Sequence, residues 1–178
     1  MDKMKPMGRP SNEIANSPGI SELDAIDLRL LQLLQQDARM SNKELAAAVG
    51  LSQSACLRRV QRLVEQGAVR AFRASVAPSA LGVGLQAMIS VRLKVHAREA
   101  FTAIREHVRT LPEVVAVYSL GGQDDLLLHV AVRDATHLRD LTIDGLASQP
   151  EVAHMQTAVI FDYERLGMPT LSVLGPDT

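Results

Sequence analysis

Two helix-start signals lying close together constrain this chain more than any other feature. Ser41 and Glu44 have the spacing of a capping box, in which the hydroxyl accepts a backbone N–H and the carboxylate reaches back to the cap. Gly50 can end this helix in a left-handed conformation, and Ser52 can cap the next one. Two helices joined by so short a turn must cross at a steep angle. The stretch 41–66 therefore predicts a helix-turn-helix.

The second of these helices carries a basic face. From 57 to 73 the chain has five arginines and a single acidic residue, Glu65. Apolar residues in this helix have the spacing of a buried stripe, so the arginines should project from the opposite side. The stripe residues are Leu57, Val60, Leu63 and Val64. A charge cluster alone is more often a solvated face, but on the second helix of a helix-turn-helix it favours DNA contact.

The candidate DNA-binding residues follow from this geometry. We expect the N-terminal end of the second helix to contact base edges, and the arginines to bind phosphates or guanine. The predicted set is Ser41, Asn42, Lys43, Ser52, Gln53, Ser54, Arg58, Arg59, Arg62 and Arg73. Arg39 and Arg70 are further candidates for phosphate contact, and each is equally consistent with solvated surface.

The formal net charge of −1 conceals two halves of opposite sign. Residues 23–77 contain eight Lys/Arg and five Asp/Glu, a net charge of +3. Residues 85–164 contain seven Lys/Arg and eleven Asp/Glu, a net charge of −4. The local potential of the first half is therefore compatible with binding DNA.

Composition argues against several other classes of protein. With two Tyr, three Phe and no Trp, the chain has few rings on which single-stranded bases could stack. Its one cysteine, Cys56, excludes an internal disulfide framework and fits a buried packing position in a reducing cytosol. The five histidines lack metal-ligand spacing. We expect no cofactor, no metal and no membrane partner, and a cytoplasmic location on the nucleoid.

The hydrophobic period changes in the second half of the chain. The predicted elements are a strand at 86–95, a helix at 97–110, strands at 114–120 and 126–132, a helix at 135–148 and a strand at 152–161. This β-α-β-β-α-β order predicts a ferredoxin-like module with two helices on one sheet face. The other face should hold Val and Leu without a helix to cover them, which favours self-association.

The fold class is thus α+β, with a winged helix-turn-helix domain before the βαββαβ domain. The predicted segments are a flexible arm at 1–22, the helix-turn-helix domain at 23–77 with a small extended wing at 68–76, a linker at 78–84, the ligand-binding and oligomerisation domain at 85–164, and a tail at 165–178.

Several short motifs occur in a fixed order between Leu23 and about Glu164. They are Leu23-Asp24-Ala-Ile-Asp27, Asp37-Ala-Arg39, the two capped helix starts, Cys56-Leu57-Arg58-Arg59-Val60, and Leu81-Gly82. This series resembles the Lrp/AsnC family of bacterial and archaeal transcription regulators. The resemblance implies a sequence-specific DNA-binding regulator that is not an enzyme, forms a homodimer through its sheet and assembles into tetramers or octamers. It also implies a small effector, often an amino acid.

The resemblance places the effector near the loop between strands two and three. Family members commonly have Ser/Thr-Gly-Asp/Glu-Tyr/Phe-Asp there, and often Thr-x-Thr on the last strand. This chain departs from both patterns, and its expected effector-binding residues are Gly121, Gly122, Gln123, Asp124, Asp125, Met155 and Thr157. Met155 in place of a hydroxyl residue suggests a ligand with an apolar side chain. For the glycine pair, a plain hairpin turn and a ligand loop are equally supported.

Two alternatives remain open from the sequence. An enzyme would use the α+β module as its catalytic half, but no nucleophile–base set, metal cluster or cofactor loop supports this. A nucleoid-structuring protein would wrap DNA with weak sequence specificity and would need no effector.

Overall fold

The computed structural model describes residues 23–164 and 167–169. The described residues divide into two units, 23–74 with 167–169, and 75–164. The predicted arm at 1–22 lies outside the described residues, and so does the predicted tail at 165–178 except for 167–169. Each unit has its own hydrophobic core.

The first unit is built on three helices, α1 (Ala25–Gln36), α2 (Asn42–Ala48) and α3 (Gln53–Glu65). They pack around a core of fully or nearly fully buried side chains. The core consists of Leu30, Leu33, Leu45, Ala46, Cys56 and Leu63. The buried Cys56 confirms its predicted packing role, and burial raises the pKa of its thiol.

The turn between α2 and α3 confirms the predicted helix-turn-helix. The hydroxyl of Ser41 accepts the backbone N–H of Glu44, whose carboxylate in turn accepts the backbone N–H of Ser41 at 2.7 Å. Gly50 has a φ of 68°, a left-handed conformation that favours glycine. Ser52 then accepts the backbone N–H of Ala55 and caps α3. The turn chemistry thus fixes where both helices begin.

The second unit is a four-stranded antiparallel sheet carrying helices. Its elements are β1 (Leu85–Leu93), α4 (Arg98–Thr110), β2 (Val114–Ser119), β3 (Leu126–Val132), α5 (Ala135–Asp140) and β4 (Val152–Ile160). The strand order is β2-β3-β1-β4, which places the first and third strands in the middle. This is the predicted ferredoxin-like topology.

One sheet face is covered by the helices and the other is open. Alternate residues of β1 and β3, beginning at Ala87 and Leu126, are buried beneath the helices. The open face was expected to hold Val and Leu, but on β1 and β3 it holds a single such residue, Leu127. It carries Gln86, Met88, Ser90 and Arg92 from β1 and Leu127, His129 and Ala131 from β3. The valines and leucines of these strands are mostly in the core, because they occupy the alternate positions whose side chains point toward the helices.

Three segments differ from the predicted elements. The predicted wing at 68–76 forms no strand among the described residues. The predicted linker contains a 3-10 helix at Pro78–Leu81 and joins the sheet unit, where the N–H of Gly84 donates to the carbonyl of Val132. A Cβ at position 84 would lie 2.3 Å from the carbonyl oxygen of Arg133, so only glycine allows this approach. The last predicted helix continues beyond α5 as a π-helix at Leu141–Ala147.

None of the helices in the described part of the chain is long and apolar enough to cross a membrane.

His129 gives the open face a titratable group. Its Nε2 lies 2.9 Å from Oε1 of Gln86, and burial lowers the pKa of His129 below its usual 6.5. The folded chain therefore binds this proton less readily than the unfolded chain, so the free energy of unfolding falls as the pH drops below about 6.5. We expect His129→Gln to lose less thermal stability than the wild type between neutral and mildly acidic pH. Equal losses in thermal melts would contradict this.

Candidate functional site

The buried side of α3 is rotated relative to the sequence prediction. Leu57 and Val64, which we expected in the core, are 47% and 43% exposed. Leu63 is fully buried and Val60 partly buried, as predicted, and the fully buried Cys56 completes this side of the helix. The prediction assigned every large aliphatic side chain of this helix to the core, but Leu57 and Val64 lie at the edge of the buried side. The buried side is therefore shifted from Leu57 toward Cys56 by a fraction of a turn, because Val60 and Leu63 belong to both the predicted and the observed stripe.

This rotation changes which side chains face solvent. The exposed residues of α3 include Gln53, Ser54, Leu57, Arg58 and Gln61. Sequence reasoning missed Leu57 and Gln61 as candidates for DNA contact. The spacing of Cys56, Val60 and Leu63 was the signal that could have identified them, because these three positions share one helix face.

Two of the three arginines of α3 are bound to acidic residues of α1. Arg59 Nη1 donates to Asp24 Oδ2 at 2.7 Å and to Asp27 Oδ1 at 2.9 Å. Arg62 Nη2 donates to Asp27 Oδ2 at 2.5 Å. The side chain of Asp27 is only 1% exposed, so this carboxylate depends on the two guanidinium groups for its charge compensation. Arg59 and Arg62 therefore hold α3 against α1.

The charges of this network are mutually stabilised. The pKa of Asp24 is held below its usual value by a hydrogen bond from the backbone N–H of Asp27, and further by Arg59. The hydrogen bond to Asp24 raises the pKa of Arg59 in turn. Both groups therefore stay charged at neutral pH.

Arg58 has a different environment. It is exposed and has no hydrogen-bond or ion-pair partner among residues 23–164 and 167–169. Within the same described ranges, the side chains of Gln53 and Arg73 are likewise exposed and unpartnered, and the exposed Lys43 has no hydrogen bond, although its charge helps to lower the pKa of Glu44. These four side chains are available to bind another molecule.

The remaining predicted DNA-binding residues take part in the turn itself. Asn42 Nδ2 donates to the backbone carbonyl of Gln53 at 2.8 Å, which ties the start of α2 to the start of α3. The hydroxyl of Ser52 lies 3.3 Å from that of Ser54. Hydrogen bonds from Ser41 lower the pKa of the capping Glu44. The structure therefore brings the predicted residues of α2 and α3 together, although several of them already have a structural role.

The predicted effector loop at 121–125 is anchored through Asp125. Asp125 Oδ2 accepts the backbone N–H of Leu93 at 2.8 Å, and Oδ1 lies 2.9 Å from Nδ1 of His96. The side chain of Asp125 is 14% exposed. Arg92 fixes the rest of the loop by donating to the carbonyl of Gln123 at 2.9 Å and to Asp124 at 3.4 Å. The carboxylate of Asp125 thus sits in a fixed position at the end of β1.

Nothing inside the described subunit requires glycine at positions 121 and 122. Neither residue has a positive φ, and a Cβ at either position would meet no atom within 4 Å. Both residues are exposed. The conformation of the turn therefore does not explain the glycine pair. The two glycines leave open space in front of the loop.

The other part of the predicted effector site lies on the far side of β1. Met155 is opposite Val91 on β4, and Thr157 is opposite Ile89. The N–H of Asp125 bonds to the carbonyl of Val91 from the β3 side. Met155 and Asp125 are therefore about 10 Å apart across two strand spacings, and Thr157 is farther away. Within one subunit the structure does not bring Gly121–Asp125 and Met155–Thr157 together.

A cleft that sequence reasoning missed adjoins Asp125. It is open to solvent, has a volume of about 430 Å³ and is lined by His96, Ala97, Arg98, Phe101, Thr102, Arg105 and Asp125. The guanidinium of Arg105 lies 5.9 Å from the ring centre of Phe101. The cleft therefore combines a carboxylate, two guanidinium groups and an aromatic ring. The described residues contain no group of three or more His, Cys, Asp or Glu side chains that could hold a metal ion.

Comparison with known protein families identifies both units. The AsnC-type helix-turn-helix domain matches residues 23–64, and the Lrp/AsnC ligand-binding domain matches residues 86–164. The first match covers the three helices and the second covers the sheet. Transcriptional regulators, not enzymes, make up the named relatives.

Individual relatives agree with the family matches. The HTH-type transcriptional regulator AldR of Mycolicibacterium smegmatis is 45% identical over 148 residues, which cover 83% of this chain and 86% of the relative. The leucine-responsive regulatory protein of Rhizobium meliloti is 37% identical and covers 76% of this chain and 87% of the relative. A crystal structure of a Neisseria meningitidis transcriptional regulator in complex with L-methionine has a TM-score of 0.79 and 33% identity, covering 86% of this chain and 99% of that chain. This chain is a DNA-binding transcriptional regulator of the Lrp/AsnC family with a ligand-binding domain.

Proposed function

We propose that this regulator binds specific DNA sequences through α3, and that an amino acid bound beside Asp125 changes its oligomeric state or its affinity for DNA. The observation that carries the proposal is that one chain has both an exposed, unpartnered Arg58 on α3 and a charged cleft in its ligand-binding domain. The nucleoid-structuring alternative is not favoured, because it needs no ligand-binding domain. We further propose that the protein acts in the cytoplasm on nucleoid DNA.

The exposed face of α3 carries groups suited to the major groove. Arg58 can donate two hydrogen bonds to guanine or pair with a phosphate, and Gln53 and Gln61 can contact adenine. The exposed Leu57 offers an apolar surface for a thymine methyl group. Lys43 and Arg73 add positive charge for the DNA backbone.

The chemistry of the cleft fits a zwitterion with an apolar side chain. Asp125 can attract an α-ammonium group, and Arg98 or Arg105 can bind an α-carboxylate. The ring of Phe101 provides a surface for the apolar side chain. The similar Neisseria structure was solved with L-methionine, which has this chemistry. We therefore propose an aliphatic, aromatic or sulfur-containing amino acid as the effector.

Self-association would connect the effector with DNA binding. The open sheet face carries apolar Met88 and Leu127 among polar side chains, and no helix covers it in the described subunit. A two-fold dimer through this face would present two recognition helices to half-sites about one helical turn, or a multiple, apart. A larger assembly through other surfaces could in addition bring Met155 and Thr157 of one subunit to the effector loop of another. An effector could then bias the assembly if its affinity differs between assembly states.

Selection of bound fragments from genomic DNA tests this function. The protein is incubated with the fragments with and without a panel of amino acids, and the bound sequences are compared. Enrichment of a shared sequence, altered by one class of amino acid, is the expected result. Uniform binding of all fragments under every condition would instead support the nucleoid-structuring alternative.

Removing the charge of Asp125 should weaken effector binding. Asp125→Asn keeps an oxygen that can accept the N–H of Leu93, but it removes the negative charge that attracts the ammonium group. We expect calorimetric titration to show at least about tenfold weaker binding of the best amino acid, since hydrogen bonds to charged groups contribute about 1.5–3 kcal/mol.

Asp124→Asn is the matched control, because it removes the same charge from the neighbouring residue, whose contact with Arg92 is 3.4 Å long. The effector site is misplaced if both variants bind the amino acid with the affinity of the wild type. No binding of any amino acid to the wild type at millimolar concentration would remove the effector from the proposal and leave DNA binding intact.

A further inference from the structure

We propose that Asp24 is a specificity-determining residue, which withholds Arg59 of the recognition helix from DNA phosphates and thereby limits binding to nonspecific DNA. The inference rests on the proposed role of α3 in DNA binding. It assigns to an acidic residue of α1 a function opposite to that of the basic residues around it. The network of Asp24, Asp27, Arg59 and Arg62 carries the inference.

The two carboxylates of this network occupy different environments. Asp27 is buried, whereas the side chain of Asp24 is 51% exposed. The side chain of Arg59 is 27% exposed, and its Nη1 bridges both carboxylates. Asp27 therefore supports the packing of α1 on α3, while Asp24 holds Arg59 at the edge of the network, where solvent and DNA have access.

The two oxygens of Asp24 have separate partners. Oδ1 accepts the backbone N–H of Asp27 at 2.8 Å and caps α1, and Oδ2 accepts the guanidinium of Arg59. Asparagine caps helices about as well as aspartate. The substitution Asp24→Asn can therefore keep the cap on Oδ1 while it replaces the charged acceptor of Arg59 with an amide.

An arginine whose charge is compensated by a carboxylate contributes little to nonspecific DNA affinity. This affinity depends on the number of phosphates that cations neutralise, and each contact adds about 0.9 to the salt dependence of binding. In the network two carboxylates compensate Arg59 and Arg62, which leaves Arg58 as the unpaired arginine of α3 among the described residues. Contacts between side chains and base edges do not depend on the charge of Arg59. The pairing of Arg59 with Asp24 therefore weakens specific binding less than it weakens nonspecific binding. The network thus raises the ratio of specific to nonspecific affinity.

The test compares Asp24→Asn with Glu65→Gln in the full-length protein. Glu65 is exposed at the end of α3, so its substitution removes the same unit of negative charge without touching the network. Binding to a random-sequence duplex and to a selected genomic fragment is measured over a range of salt concentrations. For Asp24→Asn we expect roughly fivefold tighter nonspecific binding, a salt dependence steeper by about one unit, and a lower specificity ratio. Equal behaviour of the two variants would overturn the proposal.

A second variant keeps the proposal testable if Asp24→Asn folds poorly. Arg59→Ala should retain the nonspecific salt dependence of the wild type, because Arg59 makes no phosphate contact in the proposal. A salt dependence shallower by about one unit would show that Arg59 does bind phosphate and would refute it. Arg58→Ala distinguishes this failure from failure of the proposed function: if DNA binding is unaffected by Arg58→Ala, α3 is not the DNA-binding helix.

Discussion

Replacing Arg62 with alanine is expected to lower the free energy of unfolding by about 2 kcal/mol and to leave the salt dependence of DNA binding unchanged. The reason is that Asp27, with 1% of its side chain exposed, would lose one of its two guanidinium partners. Breaking a buried ion pair typically costs about 3–5 kcal/mol. We expect less here, since Arg59 remains and the side chain of Arg62 is 43% exposed.

Arg58→Ala should have the reverse effect. Arg58 has no partner in the described ranges, so its loss should leave the melting temperature almost unchanged. If it binds a phosphate, the salt dependence should become shallower by about one unit, and affinity for all sequences should fall. Thermal melts and DNA titrations on the two variants separate the roles. If Arg62→Ala is fully folded but binds DNA more weakly than the wild type at the same salt concentration, Arg62 also contacts DNA.

The helix-turn-helix was predictable because its determinants are local. Ser41, Glu44, Gly50 and Ser52 fix the helix ends through contacts with near neighbours in the chain. The alternation of residues in β1 likewise indicated a strand with one buried face, since a strand places successive side chains on opposite faces. Together these local patterns were sufficient for the order of elements in both units.

The roles of the arginines on α3 were not predictable in the same way. They depend on which side of the helix packs on α1, and this side was misjudged when Leu57 and Val64 were assigned to the core. The burial of Asp27 also depends on contacts more than thirty residues apart along the chain. A hint was nevertheless present: Asp27 lies three residues before Leu30, on the buried stripe of α1. An acidic residue on that stripe requires a basic partner.

The candidate effector site was predictable only in part for a related reason. The family resemblance indicated the loop at 121–125, but the partners of Asp125 come from the end of β1 and the start of α4. Met155 and Thr157 were grouped with this loop by resemblance, whereas the strand order places β1 between them. Sequence adjacency carries no information on such lateral distances in a sheet.

Substitution of Met88 by arginine is expected to convert the proposed dimer into monomers. Met88 lies opposite His129 on one side and Ala158 on the other, in the middle of the open sheet face. If two copies meet through this face, the new guanidinium would be buried without a partner, which proteins tolerate poorly. Sedimentation should then show the monomer at micromolar concentration.

DNA affinity should fall with the loss of the dimer. Two linked recognition helices that bind neighbouring half-sites can gain about 10²–10⁴-fold in affinity over a single one, and the Met88→Arg monomer would lose this gain. Ile143→Arg is the matched control, because Ile143 is 54% exposed on the π-helix that packs against the opposite sheet face. It should remain oligomeric and bind DNA as the wild type does. A folded Met88→Arg protein that stays dimeric would show that the subunits associate through another surface.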